Sequence, residues 1–231
     1  MLKRIGFTNN QLKLIAVLSM LSDHIGKQLL PQFEILQIFG RLAMPIFAYM
    51  IAEGCFYTKN KRQYLMRLLI LALGCQAVYF FAEGSLYQNI LVTFSLSVIT
   101  IFAFDNFIKN KRKDSFLIAF AVATLLIVVC IVCPLILKKQ GFCIDYGFFG
   151  VLLPVAVYFS KNRYLKLISL SVFLVLISFD LGGIQWFSLF SVLVLLLYNG
   201  KRGRLQLKYL FYVFYPLHLA VIYLIKLIIS A

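Results

Sequence analysis

The sequence predicts an all-α protein, a polytopic bundle of about nine transmembrane helices with its amino terminus in the cytoplasm. Three observations predict this fold class: the composition, the length of the apolar blocks and the placement of the basic residues. Of the 231 residues, 62% are hydrophobic and only 13% are charged, whereas soluble domains contain roughly half apolar and about a quarter charged residues. The chain is therefore expected to be an integral membrane protein.

The apolar residues fall into blocks whose lengths approach the roughly 20 residues that a helix needs to cross a bilayer. The blocks cover residues 11–30, 36–57, 65–82, 89–107, 115–137, 146–160, 164–181, 184–198 and 209–230. Because the connections between them are short, we expect residues 1–231 to form a single membrane domain without a soluble one. The first block is too long for a cleaved signal peptide, so it is interpreted as the first span.

Most of the 23 basic residues lie in every second loop, as the positive-inside rule predicts for cytoplasmic loops. These loops lie near residues 59, 111, 163 and 202. The net charge of +15 is thus explained mainly by topology, and no nucleic-acid partner is expected. Cys130 and Cys133 have CxxC spacing without a histidine or a second pair nearby, so they are interpreted as buried apolar residues and no metal is expected.

Six ionisable groups fall inside three of the blocks, where charge is costly and a functional site is the usual explanation. They are Lys13, Asp23, His24, Arg41, Glu53 and His218. The alternative explanation is a set of buried ion pairs that only fixes the register of the helices.

Lys13 and His24 share one face of the first predicted helix. Eleven residues at 100° each make three turns plus about 20°, and they separate the two side chains by roughly 16 Å along the axis. The second block returns toward the cytoplasm, so Arg41 is expected at the depth of His24 and Glu53 at the depth of Lys13. The sequence therefore predicts two polar layers, an outer one and an inner one.

Asp23 is next to His24 in the sequence but points about 100° away from it around the helix. We therefore expect Asp23 to pair with Arg41 or Lys27 rather than to orient the imidazole. Two prolines accompany the polar groups. Pro45 lies one turn after Arg41, and Pro216, in the stretch FYVFYPLHL, removes a helical hydrogen bond and frees a backbone carbonyl near His218.

At these residues the sequence resembles a known family. The stretches LKLIAVLSMLSDHIG, FGRLAMPIFAYMIAEGCFYTKNKRQYLMRLL, NILVTF, DYGFFGVLLP, YNGKRG and KYLFYVFYPLHL together resemble the TraX family of bacterial membrane proteins, whose namesake acetylates the amino terminus of conjugative pilin. The spacing of Lys13 and His24 also resembles the basic-x10-His signature of the transmembrane acyl-CoA-dependent acyltransferases. The middle of the chain, from about residue 105 to residue 141, carries little of the resemblance.

The resemblance implies an acyltransferase in which His24 is catalytic, with Arg41, Glu53, Asp145 and His218 as matching polar positions. Together with the helix geometry, it leads to these predicted site residues: His24, Arg41 and Asp23 in catalysis, Lys13 and Glu53 in binding the acyl donor, and His218, Tyr215, Asp145 and Asn89 in substrate binding or support. The implied donor is cytoplasmic acetyl-CoA. The acceptor is unknown, and pilin, a glycan, a lipid and an exported peptide are all candidates. The resemblance also implies a multi-pass protein of the bacterial cell (inner) membrane, surrounded by membrane lipids.

The chemistry and the function leave alternatives open. A neutral histidine could act as a general base or attack the thioester directly to give an acyl-imidazole. Arg41 could stabilise the oxyanion that forms or simply hold Asp23. A transporter or flippase also contains broken helices and buried charges, although no internal repeat is visible in this sequence. A non-catalytic assembly factor for a surface appendage is a third possibility.

The predicted topology can be tested by labelling single cysteines introduced into a cysteine-free variant. We expect the loops near residues 31, 85, 140 and 182 to react with an impermeant reagent applied from outside, and the loops near residues 59, 111, 163 and 202 to be protected. Position 111 is the most diagnostic, because external labelling there would contradict the orientation. If the block 146–160 is re-entrant, the accessibility of every later loop will be reversed.

Overall fold

The computed structural model describes residues 6–203 and 208–230, and within them the fold is all-helical, as the sequence predicts. Extended pairing in that part of the chain is limited to two isolated β-bridges. The helices are α1 Asn9–Gln28, α2 Glu34–Gly40, α3 Ala43–Tyr57, α4 Lys61–Glu83, α5 Ile90–Asn110, α6 Lys113–Ile127, α7 Cys133–Ile136, α8 Gly147–Phe159, α9 Arg163–Leu181, α10 Phe190–Leu196 and α11 Lys208–Ser230. A π-helical turn covers Val128–Val132, and 3-10 segments cover Lys138–Gln140 and Gly183–Leu189.

Local capping residues determine where several helices begin. The hydroxyl of Thr8 accepts the backbone N–H of Gln11, and the side chain of Gln11 accepts the backbone N–H of Thr8, which forms a capping box at the start of α1. Asn60 and Asn89 cap α4 and α5 with their side-chain oxygens. These contacts satisfy N–H groups that the first turn of a helix would otherwise leave without partners.

Five helical segments of the described chain are long and apolar enough to cross a bilayer: Glu34–Tyr57, Lys61–Phe81, Ile90–Asn110, Lys113–Ile136 and Arg163–Leu181. Each of them coincides with one predicted block. Shorter apolar helices, Gly147–Phe159, Gly183–Leu196 and Val213–Ile229, lie at three further blocks. The chain is therefore a multi-pass membrane protein, whereas the count of nine spans and the orientation of the amino terminus stay predictions.

Helix α1 buries polar side chains together with apolar ones such as Leu12 and Ala16, and it exposes two leucines. Asp23 is only 9% exposed, and Asn10 and Ser19 are also buried, whereas Leu14 and Leu18 are 42% and 58% exposed. The burial of polar groups beside exposed leucines is expected when the polar groups of a helix face the interior of a bundle. With 20 residues, α1 is about 30 Å long, but it is not among the five segments that are apolar enough to cross a bilayer. Its assignment as the first span stays a prediction.

The second predicted block is not one continuous helix. Helix α2 ends at Gly40 and α3 begins at Ala43, and Arg41 and Leu42 form a turn between them. Pro45 explains the break, because it has no N–H to donate to the carbonyl four residues earlier, and its ring collides with that carbonyl. The carbonyl belongs to Arg41. The break therefore places the guanidinium at the junction of two helices.

The described residues group into two compact units. Unit 1 contains the residues up to Met50 together with those from Leu170 onward, and unit 2 contains Ile51–Ser169. Helices α3 and α9 contribute residues to both units. The grouping does not test the prediction of a single domain over residues 1–231, which stays a prediction.

In unit 1, α1 packs along α2 and also contacts α11, while α2 contacts the 3-10 segment Gly183–Leu189. Glycine permits the close approach of the first two helices, since a β-carbon on Gly26 would lie only 2.9 Å from the β-carbon of Leu36. At the start of α1, the backbone N–H of Asn9 donates to the carbonyl of Lys201 at 2.8 Å. The basic loop after α10 therefore lies beside the amino-terminal end of α1.

In unit 2, α5 occupies the middle position, because it contacts α4, α6 and α8. Leu126, Cys130, Ile144 and Val151 form a buried apolar cluster. The burial of Cys130 confirms its interpretation as an apolar core residue, whereas Cys133 is partly exposed. The outer surface of α6 is also apolar, with Phe116, Leu117 and Phe120 all more than half exposed, as expected for a helix that faces lipid.

Replacement of Gly40 by alanine tests the contact between α1 and α2. A β-carbon at Gly40 would collide with the side chain of Asp23, so we expect Gly40→Ala to destabilise the protein by about 1 to 3 kcal/mol through overpacking. The thermal unfolding midpoint of the purified protein in detergent measures the effect.

Gly74→Ala, in α4, is the matched control for this variant. No atom lies within 4 Å of a β-carbon built on Gly74, and alanine favours the helix over glycine by up to about 1 kcal/mol. The midpoint of Gly74→Ala should therefore equal or exceed that of the wild type. Equal stability of the two variants would contradict the close contact at Gly40.

Candidate active site

Asp23 lies in the interior of unit 1, where two cations neutralise it. Its Oδ1 forms an ion pair with Nη2 of Arg41, and its Oδ2 lies 2.7 Å from Nζ of Lys27. Arg41 is buried like Asp23, whereas Lys27 is exposed. Both of the partners predicted for Asp23 are thus confirmed. Because removal of one partner of a buried ion pair leaves a costly unpaired charge, this pairing holds α1 and α2 in one register.

Arg41 connects three segments of unit 1. Besides its ion pair with Asp23, its Nε donates to the carbonyl of Gln37 at 3.2 Å, and its Nη1 donates to Oε1 of Gln185 at 3.3 Å. Gln185 belongs to the 3-10 segment and is 2% exposed. We call Asp23, Lys27, Arg41 and Gln185 the Arg41 cluster. It ties α1 and α2 to the segment that precedes α10.

Two polar atoms of the 3-10 segment have no hydrogen-bond partner among the residues that the structure describes. They are Nε2 of Gln185 and Oγ of Ser188, and a third such atom, Oγ of Ser178, lies on α9. Residues three apart in a 3-10 helix are eclipsed, so Gln185 and Ser188 lie on the same side of the segment. A buried donor that lacks a partner costs about 1 to 3 kcal/mol. The pair is therefore a candidate for ligand binding.

The two histidines of the chain contact each other, one from α1 and one from α11. Nδ1 of His24 lies 3.1 Å from Nε2 of His218, and the ring centroids are 5.0 Å apart. Nδ1 of His218 in turn lies 2.8 Å from the carbonyl oxygen of Phe214. A chain of hydrogen bonds thus runs from a backbone carbonyl through both rings.

The partners of these nitrogens determine where the hydrogens lie when both rings are neutral. A carbonyl can only accept, so Nδ1 of His218 carries the hydrogen and its Nε2 is an acceptor. The facing Nδ1 of His24 must then donate, which leaves the lone pair of His24 on Nε2. An unprotonated imidazole nitrogen is what a general base requires.

Aromatic side chains of α11 hold the ring of His218. The ring of Phe214 stacks on it with a centroid distance of 5.0 Å and an interplanar angle of 10°, and Tyr215 meets it edge-on at 5.5 Å. Tyr215 and His218, which are both predicted to support the site, are thus in contact with each other. Their roles in substrate binding stay predictions.

The carbonyl that Pro216 frees and the carbonyl that the His218 imidazole contacts belong to different residues of α11. Pro216 cannot donate to the carbonyl of residue 212, four positions earlier, and this is the carbonyl that it frees. The imidazole of His218 instead engages the carbonyl of Phe214. The reason is local geometry, since a histidine ring on a helix reaches back over its own preceding turn.

Lys13 lies near the amino-terminal end of α1, three turns before His24. Because α1 is continuous between them, both side chains lie on one face of the helix. Lys13 is half-buried, and the guanidinium of Arg202, in the loop after α10, is close enough to interact with it electrostatically. Two cations therefore lie near one another at this end of unit 1.

Glu53 is a buried residue of unit 2, where Nζ of Lys166 lies 2.9 Å from its Oε1. The same ammonium lies 5.7 Å from the centroid of the Phe56 ring. Lys13 belongs to unit 1, so the predicted inner layer of Lys13 and Glu53, and the role of Glu53 in binding the acyl donor, stay predictions. What the structure adds is a partner for Glu53 that the sequence does not indicate.

Asp145 and Asn89 belong to hydrogen-bonded loops of unit 2. The hydroxyl of Tyr87 donates to Oδ1 of Asp145 at 2.5 Å, and burial together with this carboxylate raises the pKa of Tyr87, so that the hydroxyl stays a donor. The side chain of Asn89 donates to Oε1 of Gln76 at 2.9 Å and caps α5. Both residues have structural contacts, and their predicted roles in substrate binding are untested.

Two buried polar residues of the structure, Asp105 and Gln185, are not among those predicted from the sequence. Asp105 is 6% exposed within α5, and Nζ of Lys61 and Nζ of Lys109 lie 2.7 Å and 2.9 Å from its carboxylate. An acidic residue inside the block 89–107 is a signal that could identify it. Gln185 is uncharged, so only its contact with Arg41 distinguishes it from other polar residues.

The fold and the site define a class of protein: a multi-pass helical membrane protein in which one compact unit contains a histidine pair and a buried ion-pair cluster. No group of three or more His, Cys, Asp or Glu residues suited to a metal ion occurs in the described parts of the chain. The chain belongs to the TraX family, since the family model described as TraX protein matches residues 8–226. The resemblance to TraX is thus confirmed.

Two relatives extend this comparison. A protein of Dichelobacter nodosus described as "Probable fimbrial assembly protein FimC, serogroup H1" is 26% identical to this chain over an alignment of 256 residues. The alignment covers 96% of this chain and 97% of the relative. "Uncharacterized protein RP591" of Rickettsia prowazekii (strain Madrid E) is 34% identical over 111 residues, which cover 47% of this chain and 43% of the relative. No solved structure matches the chain.

Proposed function

We propose that the chain is a membrane acyltransferase that moves an acetyl group from cytoplasmic acetyl-CoA to an acceptor at or near the outer face of the membrane. The observation that carries the proposal is the histidine pair. His24 presents an unprotonated Nε2 because its Nδ1 is held by His218, and it lies on the same helix face as the cation Lys13. Membership of the TraX family supports the same activity.

In the proposed reaction His24 acts as the general base. Its Nε2 takes the proton of the acceptor amine or hydroxyl while that nucleophile attacks the thioester carbonyl. The carbon–sulfur bond then breaks, and the leaving thiolate takes the proton from the imidazolium, so that His24 returns to its neutral form. The same lone pair would serve a direct attack through an acyl-imidazole, which rapid-quench mass spectrometry would detect as an acetylated peptide containing His24.

His218 is proposed as a positioning residue. Its Nε2 accepts the hydrogen bond from Nδ1 of His24, and this bond becomes stronger when the ring of His24 is positively charged. The stacked ring of Phe214 and the hydrogen bond to the Phe214 carbonyl restrain the orientation of His218. His24 is thereby kept in the tautomer that catalysis needs.

Of the two roles considered for Arg41, its contacts support the structural one. Its guanidinium engages Asp23, Gln37 and Gln185 through three different nitrogens. We therefore propose that Arg41 holds Asp23 and Gln185 in place. Asp23 in turn sets the rotation of α1, which determines the direction in which His24 points.

The acyl donor is proposed to bind along the face of α1 that carries Lys13 and His24. Lys13 and Arg202 repel each other, and a polyanion placed between them would remove that repulsion. The phosphates of coenzyme A are such a polyanion, and its pantetheine arm has a length of the order of the roughly 16 Å between Lys13 and His24. The thioester would then reach the imidazole from the cytoplasmic side.

The first acceptor to test is the amino terminus of a pilin. The TraX family is linked to pilin acetylation, and the Dichelobacter nodosus relative is described as a fimbrial assembly protein. A protein with this role would act in the bacterial inner membrane, where exported pilins are held before assembly. A surface glycan, a lipid and an exported peptide are the other candidate acceptors, and comparative mass spectrometry of wild-type and deletion strains distinguishes them.

A second candidate function is that of a non-catalytic assembly factor. The observation that favours it is the description of the same relative, which names assembly and not catalysis. The two functions make different predictions for His24, because an assembly factor does not need an unprotonated imidazole. Replacement of His24 therefore separates them.

His24→Ala should lower the single-turnover rate of acetyl transfer by about 10² to 10⁴, the usual contribution of a general base. The variant should retain acetyl-CoA binding and a normal thermal transition. The measurement is transfer to a pilin peptide in nanodiscs, together with the slow hydrolysis of acetyl-CoA when no acceptor is present.

His218→Ala should lower the rate by a smaller factor, and His218→Gln, which keeps an acceptor oxygen, should restore part of it. Near wild-type turnover in His24→Ala would contradict the role of His24 as the base. No acetyl transfer by the wild type, together with normal pilus assembly in His24→Ala, would instead support the assembly factor.

Lys13→Ala should weaken acetyl-CoA binding about tenfold or more. A hydrogen bond to a charged group contributes roughly 1.5 to 3 kcal/mol, and about 1.4 kcal/mol corresponds to a factor of ten. Isothermal titration calorimetry measures the affinity. Lys226→Ala is the matched control, because Lys226 contacts Gln28 at 2.7 Å, at the opposite end of α1. Equal affinities of the two variants would exclude Lys13 from the donor site.

A further inference from the structure

We infer that Gln185 and Ser188, together with the Arg41 cluster, form a binding site for an anionic oxygen group, a carboxylate or a phosphate, on the acceptor substrate. The inference rests on the proposed function only where it identifies the bound molecule as the acceptor. The anion site itself follows from the burial, hydrogen bonding and charge of side chains from three segments of unit 1: α1, the turn after α2 and the 3-10 segment Gly183–Leu189.

The orientation of the Gln185 amide is fixed by Arg41. A guanidinium can only donate, so the atom of Gln185 that faces Nη1 of Arg41 at 3.3 Å must be the oxygen. The NH₂ group of the amide is therefore directed away from Arg41. It carries two hydrogens, and it has no hydrogen-bond partner among the described residues.

Ser188 supplies a second donor on the same side of the 3-10 segment. It lies three residues after Gln185, where a 3-10 helix brings side chains into line. Its side chain is 0% exposed, and its hydroxyl likewise has no partner within the described chain. Two buried donors in line match a ligand that contributes acceptor oxygens, because hydrogen bonds to a charged oxygen are the strong ones.

The charge of the Arg41 cluster favours an anion over a neutral ligand. Asp23 contributes one negative charge, whereas Arg41 and Lys27 contribute two positive ones. Two cations beside one anion make this cluster more favourable for a carboxylate or a singly charged phosphate than for a cation. Lys27 is 45% exposed in its side chain, so the positive charge extends from the buried amide of Gln185 toward the surface of unit 1.

The single tryptophan of the chain offers a local measurement, because Trp186 follows Gln185 directly and meets the ring of Phe179 edge-on at 5.0 Å. We would reconstitute the full chain in phosphatidylcholine nanodiscs and follow tryptophan emission during titration with hexanoate. A second arm replaces phosphatidylcholine stepwise with phosphatidylglycerol. Hexanamide, which has the same length as hexanoate and no charge, is the control ligand.

The inference predicts a saturable change in Trp186 emission in one of the two arms, and hexanamide should bind at least tenfold more weakly than hexanoate. A response to hexanoate assigns the site to a carboxylate, and a response to phosphatidylglycerol alone assigns it to a lipid headgroup phosphate. Gln185→Met and Ser188→Ala should each weaken the response about tenfold. Gln185→Glu, which keeps the oxygen facing Arg41 but adds a negative charge, should abolish it.

Two further variants make the outcome decisive. Ser191→Ala removes a buried hydroxyl from the next turn that is already satisfied by the Ser188 carbonyl at 2.6 Å, so its response should equal that of the wild type. His24→Ala should also bind the anion normally, which separates failure of this inference from failure of the proposed catalysis. The absence of a saturable response in both arms, equal binding of hexanamide, or an unchanged response in Gln185→Met and Gln185→Glu would overturn the inference.

Discussion

The burial of the Asp23 carboxylate is the constraint on which the rest of unit 1 depends. A carboxylate within an apolar bundle is tolerated only if cations and hydrogen bonds compensate its lost hydration. Arg41 provides this compensation from the break between α2 and α3, and Lys27 provides it from the next turn of α1. The ion pair therefore fixes the rotation of α1 against α2. It also explains why Gly40 has no side chain, since a β-carbon there would collide with Asp23.

The rotation of α1 has a direct consequence for His24. Adjacent residues on a helix point about 100° apart, so once Asp23 faces Arg41, His24 must face another neighbour, which is His218 of α11. The same rotation places Lys13 on the face of His24 at the other end of the helix. The ion pair thus fixes the direction in which the proposed base His24 and the proposed phosphate-binding residue Lys13 point. Asp23 and Arg41 therefore shape the site without a role in proton transfer.

In unit 2 the buried carboxylates form contacts that connect neighbouring helices and loops. Glu53 and Asp105 each accept lysine partners from other helices, and Lys61 and Lys166 also lie over aromatic rings. Asp145 accepts a hydrogen bond from the hydroxyl of Tyr87. These contacts connect α3 to α9, α4 to α5, and the two loops that precede α5 and α8. Buried ion pairs that only fix the register of helices are the alternative explanation for charged residues inside the apolar blocks. The contacts in unit 2 support this explanation.

The sequence by itself determines the helical class, the membrane environment and the residues that carry charge into the bundle, because hydrophobic length and the cost of a buried charge are local properties of the chain. It also predicts Arg41 or Lys27 as the partner of Asp23, since helix periodicity and the return of the second block leave few other partners. Tertiary structure alone decided the contact of His24 with His218, 194 positions away, the engagement of Glu53 by Lys166, and the place of Gln185 beside Arg41. These contacts depend on the packing and rotation of helices distant in sequence, which hydrophobic periodicity does not specify when most faces of a helix are apolar.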